Sequence, residues 1–454
     1  MANQVTAVSG IAIGDIETIN GKTDDNIAAL RGREFTGTTR YTQTEDLTHS
    51  AEQTAPYDAG NGRGYHNSLG WLYREGTTDR VLSGWFGYYP PTYTDDRVTC
   101  LQYNGTSAPT RTAQSIVNSS NGGWWLVGLD TDPNTENEAV VVFSAGDVAN
   151  DPVQVARVLV NDSTDAITFG TPVSVTSAHG QGQVSHDKNR AGDFLTITYL
   201  NPAYVGGDCF LRAGTTSGST ITLGTALDTS IDADFVTMDA DPNNAGRYAV
   251  GWHQKDDDKI YVAVATVSGT TITLGTPLAV SDAGGMNEDG RWVVWDKTRA
   301  DTLHIAFTDD DSNSGYPTQI GASVAAGPTG TTVTASSTGA EVAESVHCDG
   351  VSISSDYFIN NPHVAANQGA GFLLRSTGGA SNDTKLFAWT CDEDQDYTMG
   401  NSSTPTAGYC PSRNGIIASP YTAGLHMMLY QDDVNAPAFQ IRAKALLLGG
   451  QWDA

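Results

Sequence analysis

A strand-like phrase that recurs along the chain constrains the fold more than any other feature of the sequence. "VSGTTITLGTPLAV" runs from Val267 to Val280, and the related phrases "TSGSTITLGTALDT" and "STDAITFGTPVSV" stand upstream of it. Each copy contains a run in which Thr alternates with apolar residues, which is the period-2 pattern of a half-buried β-strand. A chain that repeats such a strand at nearly equal spacing is expected to form a repeat architecture.

A second phrase marks the same repeat at another point of each unit. It begins with Asp, followed by Pro or Lys and then by Asn or Thr, and it runs into a strand such as "RYAVGW". Asp and Asn bond to their own backbone and initiate turns, and Pro presets φ. The clear copies begin at Asp132, Asp187, Asp241 and Asp296, in steps of 55, 54 and 55 residues. This regular step predicts one structural unit per copy.

Weaker copies extend the pattern in both directions. One begins at Asp349 and another at Ser419, and the upstream stretch "YREGTTDRVLSGW" is similar to "MDADPNNAGRYAVGW". Each unit supplies four short antiparallel strands, whose exposed faces can be buried only against neighbouring units. Four-stranded units at this period are typical of a β-propeller. The sequence therefore predicts an all-β fold, a seven-bladed β-propeller of four-stranded antiparallel blades over residues 35–454.

The two ends of the repeat suggest how the ring closes. After "AFQIRAKALLLGG" only residues 451–454 remain, so the last unit lacks its outermost strand. The stretch Phe35–Thr44, "FTGTTRYTQT", precedes the first unit and has the composition of an extended strand. We predict that it supplies the missing strand and so joins the ends of the ring.

Residues 1–34 do not fit the repeat. They are too few to build a core of their own, yet they carry regularly spaced apolar side chains. These side chains must pack against the repeat domain, a sister chain or another protein. We predict a docking segment, and a strap on its own propeller is the alternative. The predicted partner-binding residues are Ile11, Ile13, Ile16, Ile19, Ile27 and Leu30.

Two phrases resemble proteins of tailed bacteriophages. "GIAIGDIETING" resembles the N-terminal attachment segment of phage structural proteins, and "VVWDKTRADTLHIAFTDDDSNSGYPTQIGASV" resembles the propeller-like repeats of tail-fibre and related virion proteins. The resemblance implies a non-enzymatic component of the tail, fibre or capsid surface, made in the host cytoplasm and located on the virion. Its implied partners are other virion proteins, sister chains of a homo-oligomer and host surface glycan. The alternative is a carbohydrate-binding or carbohydrate-active propeller protein unrelated to any particle.

Catalytic motifs are not apparent in the sequence. It contains no Gly-x-Ser-x-Gly elbow, no His-Glu-x-x-His and no phosphate-binding loop. With 52 Asp and Glu residues, the presence of a carboxylate pair says nothing about glycoside hydrolysis. His304 and His426 are predicted to occupy matching strand positions and to serve in packing. We therefore predict no enzyme, no catalytic residues and no cofactor.

Aromatic residues cluster in "GWFGYYPPTY". The two prolines after the strand place Tyr88, Tyr89 and Tyr93 on a predicted loop. Because flat rings stack on sugars or become buried at interfaces, these three tyrosines form a candidate ligand surface. Packing within the blade is an equal alternative.

The charge balance restricts the partners. The formal net charge of −28 repels nucleic-acid phosphates and anionic lipid, so the sequence predicts neither nucleic-acid nor membrane binding. Paired or clustered acids could bind Ca²⁺ through their oxygens or could simply form turns and solvated loops, and we assign no metal site. These acids are Asp130 with Asp132, Asp239 with Asp241, Asp256–Asp258 and Asp309–Asp311.

The five cysteines form no CxxC pair, so they indicate neither a zinc site nor a disulfide framework. Cys391 and Cys410 are close enough in sequence to pair, and both the paired and the unpaired state remain open at this point.

Overall fold

The described part of the chain consists of strands, turns and bends, without a helix. All strand pairs are antiparallel, which confirms the predicted all-β fold. The computed structural model describes the backbone of several short strands between residues 7 and 54 and of residues 63–75, 78–89, 93–104, 109–118, 128–146, 151–177, 180–200, 207–281, 285–286, 292–297, 299–309, 316–335, 340–341, 348–356, 367–375, 383–391, 397–399, 403–406, 415–420, 425–432 and 440–448.

Three small strand pairs come first in the chain. In the sequence, two residues separate the strands of each pair, and the second of them is Gly (Gly10, Gly21 and Gly32), a composition that tight hairpins favour. The side chains of the predicted docking residues in this region lie outside the described part, so their role stays a prediction. The strands are β1 (Ala7–Val8), β2 (Ile11–Ala12), β3 (Thr18–Ile19), β4 (Lys22–Thr23), β5 (Ala29–Leu30) and β6 (Arg33–Glu34). They are followed by β7 (Leu47–His49) and β8 (Gln53–Thr54), which belong to a later sheet.

The repeat region begins with two separate sheets. The first has the order β12-β11-β10-β9 and the second β13-β14-β15-β16, with β17 also paired to β15. Their strands are β9 (Arg63–Glu75), β10 (Thr78–Tyr89), β11 (Tyr93–Tyr103), β12 (Thr110–Asn118), β13 (Gly128–Thr131), β14 (Glu138–Ser144), β15 (Val153–Val160), β16 (Ile167–Phe169) and β17 (Val173–Ser174).

Two repeat units share the next, nine-stranded sheet. The long strand β22 pairs with β20 through its first residues and with β23 through its last, so it belongs to both units. The strands are β18 (Gly180–His186), β19 (Asp193–Leu200), β20 (Asp208–Ser217), β21 (Thr220–Leu223), β22 (Leu227–Ala240), β23 (Arg247–Gln254), β24 (Lys259–Ser268), β25 (Thr271–Leu274) and β26 (Leu278–Ala279).

Three further sheets complete the repeat. They contain β27–β32, β33–β37, and β38–β40 together with β7 and β8. The strands are β27 (Gly285–Met286), β28 (Val293–Trp295), β29 (Thr302–Asp309), β30 (Tyr316–Val324), β31 (Val333–Ala335), β32 (Ala340–Glu341), β33 (Cys348–Asp356), β34 (Asn367–Arg375), β35 (Asp383–Cys391), β36 (Tyr397–Met399), β37 (Ser403–Thr406), β38 (Gly415–Ala418), β39 (Leu425–Asp432) and β40 (Gln440–Leu448).

The outer edge of most sheets is built from two short strands that both pair with the third strand. This holds for β16 and β17 on β15, β25 and β26 on β24, β31 and β32 on β30, and β36 and β37 on β35. Strand β40 pairs in the same way with two short strands, β7 and β8, which come from the other end of the chain.

The strands that pair with β40 come later in the chain than the stretch predicted for this pairing. They are Leu47–His49 and Gln53–Thr54, whereas Phe35–Thr44 lies outside the described residues, so its pairing stays a prediction. Strands of two or three residues show too little alternation for their position to be read from propensity.

Apolar side chains pack between neighbouring sheets. Val262 and Val264 of β24, for example, lie in one buried cluster with Trp292 and with Ile305 of β29. The first strands of successive units contact one another, and the contacts run β9–β13, β13–β18, β18–β22, β22–β28, β28–β33, β33–β38 and β38–β9.

The predicted Asp turns join the first strand of a unit to the second. In the four clear copies the Asp N–H donates to the carbonyl six residues later, at 2.8–3.0 Å, and Ser419 makes the same bond in the last unit. The fifth residue after each Asp has φ between 61° and 77°. These residues are Asn137, Gly192, Gly246 and Asp301, which are types that tolerate the left-handed region.

The Asp carboxylates also connect neighbouring units. Asp187 Oδ1 accepts from Asn189 N–H within its own turn at 2.8 Å, while Oδ2 accepts from Gly246 N–H of the next unit at 2.6 Å. Asp132 repeats the arrangement with Gly192 N–H at 2.7 Å. Each of these side chains therefore ties its own turn to the following turn.

Two residues that the sequence analysis placed in the repeat occupy a different position along their strands. Asp349 lies inside β33 and does not start a turn between the first two strands. Because Ser419 N–H bonds to Leu425 and Asp296 N–H bonds to Thr302, His426 matches Leu303 and not His304. A shift of one residue places two strand side chains on opposite faces.

Replacement of Asp187 by Ala tests the connection between turns. We expect a loss of about 1–3 kcal/mol in the free energy of unfolding, because the buried N–H of Gly246 and the partly buried N–H of Asn189 lose their acceptor. Asp228→Ala is the matched control, since Asp228 accepts from Ser230 N–H at an exposed position of β22 and makes no bond to a neighbouring unit among the described residues. Equal losses for the two variants in urea unfolding would show that the inter-unit bond contributes nothing.

Candidate functional site

The sheets have two different ends. The Asp turns lie at one end, and at the other, which we call the hairpin end, the second strand of each unit turns into the third. Tyr88 and Tyr89 end β10 and Tyr93 begins β11, with Tyr89 paired to Tyr93. They are therefore in strands and not on the predicted loop. Their side chains lie outside the described part, and their role as a ligand surface stays a prediction.

A cluster of rings and carboxylates surrounds the β23–β24 hairpin at the same end. On one face, the rings of Trp252 and Tyr261 lie nearly parallel, with centroids 5.9 Å apart and 8° between their planes. The Tyr261 hydroxyl donates to Asp257 Oδ2 at 2.7 Å. We call these residues, together with those on the opposite face of the hairpin described next, the hairpin cluster. It comprises Phe235, Trp252, His253, Asp257, Asp258 and Tyr261.

The opposite face of the hairpin carries a second aromatic stack. Phe235 and His253 have ring centroids 6.4 Å apart and planes inclined by 29°, and His253 Nε2 lies 2.8 Å from Asp258 Oδ1. Phe235 has φ 48° and Asp258 has φ 56°, and the β22–β23 register shifts between Asp234 and Thr237. Bulges and left-handed non-Gly residues re-aim side chains, often next to binding sites.

Solvent reaches the hairpin cluster from its tip. Asp256, Asp257 and Asp258 are exposed, Tyr261 and Phe235 are partly exposed, and Trp252 is buried beneath them. The hydrogen bond to Asp257 and partial burial raise the pKa of Tyr261 above its ordinary value. The indole N–H of Trp252 has no hydrogen-bond partner among the described residues. Flat rings beside fixed carboxylates can stack on a pyranose and accept hydrogen bonds from its hydroxyls.

The other acidic pairs are occupied by protein donors. Asp130 Oδ2 accepts from Ser185 Oγ, His186 N–H and Lys188 Nζ, and Asp239 Oδ2 accepts from Trp295 N–H. The carboxylate oxygens at both positions serve to join neighbouring units. Within the described part of the chain, no group of three or more His, Cys, Asp or Glu side chains could hold a metal ion. The side chains of Asp309–Asp311 lie outside that part.

Sequence reasoning did not find the hairpin cluster. In the sequence, "HQKDDDK" has the composition of a polar gap between two strands. The signal that could have found it is the combination of three exposed acids with Trp252 and Tyr261, which stand equally far from the hairpin tip on the two strands. Phe235 comes close to the other residues of the hairpin cluster only in the folded chain, so its position in the sequence gives no signal.

Comparison with known proteins identifies similar folds. No protein-family model matches the sequence, and no curated protein matches it. A lectin from Burkholderia pseudomallei is similar with a TM-score of 0.56 and 12% identity, over 85% of this chain and 97% of the lectin. An α-L-arabinofuranosidase from Fusarium graminearum has a TM-score of 0.44 and 11% identity over 90% and 99% of the two chains. A Hadza microbial sialidase has a TM-score of 0.44 and 12% identity over 78% and 73%. At this identity the lectin similarity shows the fold.

These comparisons correct two predictions. The similar fold is that of a lectin, so the prediction of a structural virion component is contradicted and the carbohydrate-related alternative fits better. The prediction that the chain is not an enzyme is not retained either, because a similarity at this identity shows the fold alone and excludes no activity. No comparison tests the predicted virion location or the predicted partners. The described residues contain no helix long and apolar enough to cross a membrane.

Proposed function

We propose that the chain is a closed, seven-bladed β-propeller that binds an uncharged saccharide at the hairpin cluster. Seven units follow one another in the sheet order, and their first strands contact in sequence until β38 meets β9. Strands β7 and β8 complete the last unit in the way that two short strands complete the others. These contacts support a ring whose ends are joined by residues 47–54.

The observation that carries the binding proposal is the geometry of Tyr261. Its partly exposed ring lies parallel to Trp252, and its hydroxyl is held by the exposed carboxylate of Asp257. A ring fixed in this way loses little side-chain entropy when a sugar stacks on it. The Burkholderia lectin has the same fold over nearly its whole length. This similarity to a lectin also supports the proposal of saccharide binding.

The charge of the site determines the class of saccharide. Asp256–Asp258 place three carboxylates at the tip, and the whole chain carries a net charge of −28. Sialic acids, uronic acids and sulfated sugars would be repelled. A neutral pyranose avoids this repulsion and offers hydroxyl donors to the carboxylates. We therefore expect binding of neutral glycans with little dependence on salt.

A glycan screen followed by calorimetry tests this function. We expect the wild-type chain to select neutral glycans, and Tyr261→Ala to weaken the best of them by about tenfold or more, because loss of a stacked aromatic ring costs about 1–3 kcal/mol. Asp256→Asn is the matched control at the same tip, since Asp256 makes no described contact with Tyr261. Assay of released reducing sugar in the same samples separates binding from hydrolysis.

Two outcomes would contradict the proposal. One is that the screen selects no neutral glycan. The other is that Tyr261→Ala binds the selected glycan as tightly as Asp256→Asn does. Because Tyr261 is partly exposed, its replacement is expected to leave the fold intact, which thermal unfolding of the variant checks.

A further inference from the structure

Residues 7–34 contain a short repeat of their own, separate from the repeat of the blades. The hairpins β1–β2, β3–β4 and β5–β6, which we call the N-terminal hairpins, begin at Ala7, Thr18 and Ala29, in steps of 11 residues. Their pairing register recurs with the same step. The residue pairs next to the turns are Val8 with Ile11, Ile19 with Lys22, and Leu30 with Arg33. Sequence and backbone pairing therefore define three equivalent units.

The connections between the N-terminal hairpins share one length and one sign of charge. Residues 13–17 and 24–28 are each five residues long, and each stretch has Ile at its fourth position. Both contain two acids and no base, and these acids are Asp15, Glu17, Asp24 and Asp25. The second and third hairpins carry the bases of the segment, which are Lys22, Arg31 and Arg33, together with Glu34. Basic hairpins therefore alternate with acidic connections.

One face of each N-terminal hairpin is more apolar than the other. Because neighbouring residues of a strand lie on opposite faces, Val8, Ile19 and Leu30 occupy the equivalent face of the three hairpins. The opposite face has smaller residues at the positions before them, which are Ala7, Thr18 and Ala29. Among the described strands each hairpin is a two-stranded sheet by itself, and such a sheet is at best marginally stable alone. A partner that covers all three apolar faces must match their 11-residue step.

We propose that residues 7–34 bind the same segment of further copies of this chain, in parallel, with the hairpins of one copy beside the connections of the next. An identical copy has the same 11-residue step, and its acidic connections complement the basic hairpins. A fully overlapped antiparallel pair would instead place the two acidic connections opposite each other. The contact joins two different sides of the segment, and contacts of this type close into rings. This inference does not depend on saccharide binding.

The mass in solution tests the self-association. Size-exclusion chromatography with light scattering is applied to the full chain and to the chain that lacks residues 1–34, at micromolar concentration. We expect the full chain to have the mass of two or more copies and the truncated chain the mass of one. A monomeric full chain would overturn the proposal, since the segment would then pack on its own repeat domain or on a different protein. An oligomer that survives the truncation would overturn it as well.

Two variants of one strand test the apolar face. Ile19→Asp and Thr18→Asp add the same charge to β3 at neighbouring positions on opposite faces. We expect Ile19→Asp to raise the dissociation constant at least about tenfold, because one buried Ile is lost, and Thr18→Asp to raise it by less than about threefold. Analytical ultracentrifugation measures both constants. Equal effects of the two variants would overturn the assignment of the face.

Charge reversal tests the contact between hairpins and connections. Lys22→Glu combined with Arg33→Glu should dissociate the oligomer, because acids would then face acids. Lys22→Arg combined with Arg33→Lys keeps the charges and should leave the oligomer unchanged. Equal masses for the two double variants would overturn the role of charge in this contact.

Cross-linking tests the parallel orientation. In parallel copies the first turn lies at the same level in every chain, so we expect chains with Ser9→Cys to be joined by a short bismaleimide above the level of the wild-type chain. In antiparallel copies Ser9 would lie near the third hairpin of its neighbour. Cross-linking would then occur only in a mixture of Ser9→Cys and Arg31→Cys chains. Failure of Ser9→Cys chains to cross-link with one another would overturn the parallel arrangement.

Discussion

Replacement of Arg247 by Met is expected to lower the free energy of unfolding by about 3–5 kcal/mol, the cost of leaving a buried charge without its partner. The Arg247 guanidinium is fully buried and joins two units. It donates to Asp241 at 2.5 Å, to Asp301, and to the carbonyl of Gly327 at 2.8 Å, and it lies over the ring of Trp295. Met keeps much of the side-chain volume but leaves the Asp241 carboxylate buried at 0% exposure without its cation.

Urea unfolding measures this effect, and two further variants define its cause. Arg190→Met removes a guanidinium that is 42% exposed and 3.9 Å from Asp187, so it should cost less than about 1 kcal/mol. Asp241→Asn combined with Arg247→Met should recover part of the loss, because the uncompensated charge is removed. The account of Arg247 is wrong if Arg247→Met costs no more than Arg190→Met.

Removal of residues 1–56 is expected to lower the melting temperature by about 3–9 °C relative to removal of residues 1–34. The longer truncation deletes five residue pairs between β40 and the strands β7 and β8. Each lost backbone hydrogen bond costs about 0.5–1.5 kcal/mol, and a loss of that total size shifts the melting temperature by this amount. It also exposes the β40 edge, which favours aggregation.

The shorter truncation serves as the control. Among the described strands of residues 1–34, β1 pairs with β2, β3 with β4, and β5 with β6. Removal of these residues should therefore leave a folded repeat domain. Differential scanning calorimetry of the two truncations and light scattering at the same concentration measure both effects. Identical melting curves for the two would rule out closure of the ring by residues 47–54.

Local chemistry made much of the fold predictable from the sequence. Asp132, Asp187 and Asp241 initiate turns through their own backbone, and the alternating strands that follow have a fixed period. These properties depend on neighbours a few residues away, so the spacing of the copies revealed the units. Residues Asn137 and Gly192 gave a further local signal of a left-handed turn position that the sequence reasoning did not use.

The contacts that define the candidate site depend on distant parts of the chain. Asp187 reaches Gly246, which is 59 residues away, and Phe235 meets His253 only because β22 bulges. The register of His426 was misjudged because one residue more or less in a turn reverses the face of every following side chain. Sequence periodicity therefore predicts the structure within a unit but gives no information on the contacts between units.

The central claim, saccharide binding at the hairpin cluster, is tested most directly by a crystal structure of the chain with the best neutral glycan from the screen. The account predicts a pyranose ring stacked on Tyr261, with at least one hydroxyl within hydrogen-bond distance of Asp257 or Asp258. The same crystals of Tyr261→Ala should show no sugar at this position. A glycan bound only elsewhere, for instance beside Tyr88 and Tyr93, or bound equally in the variant, would contradict the account.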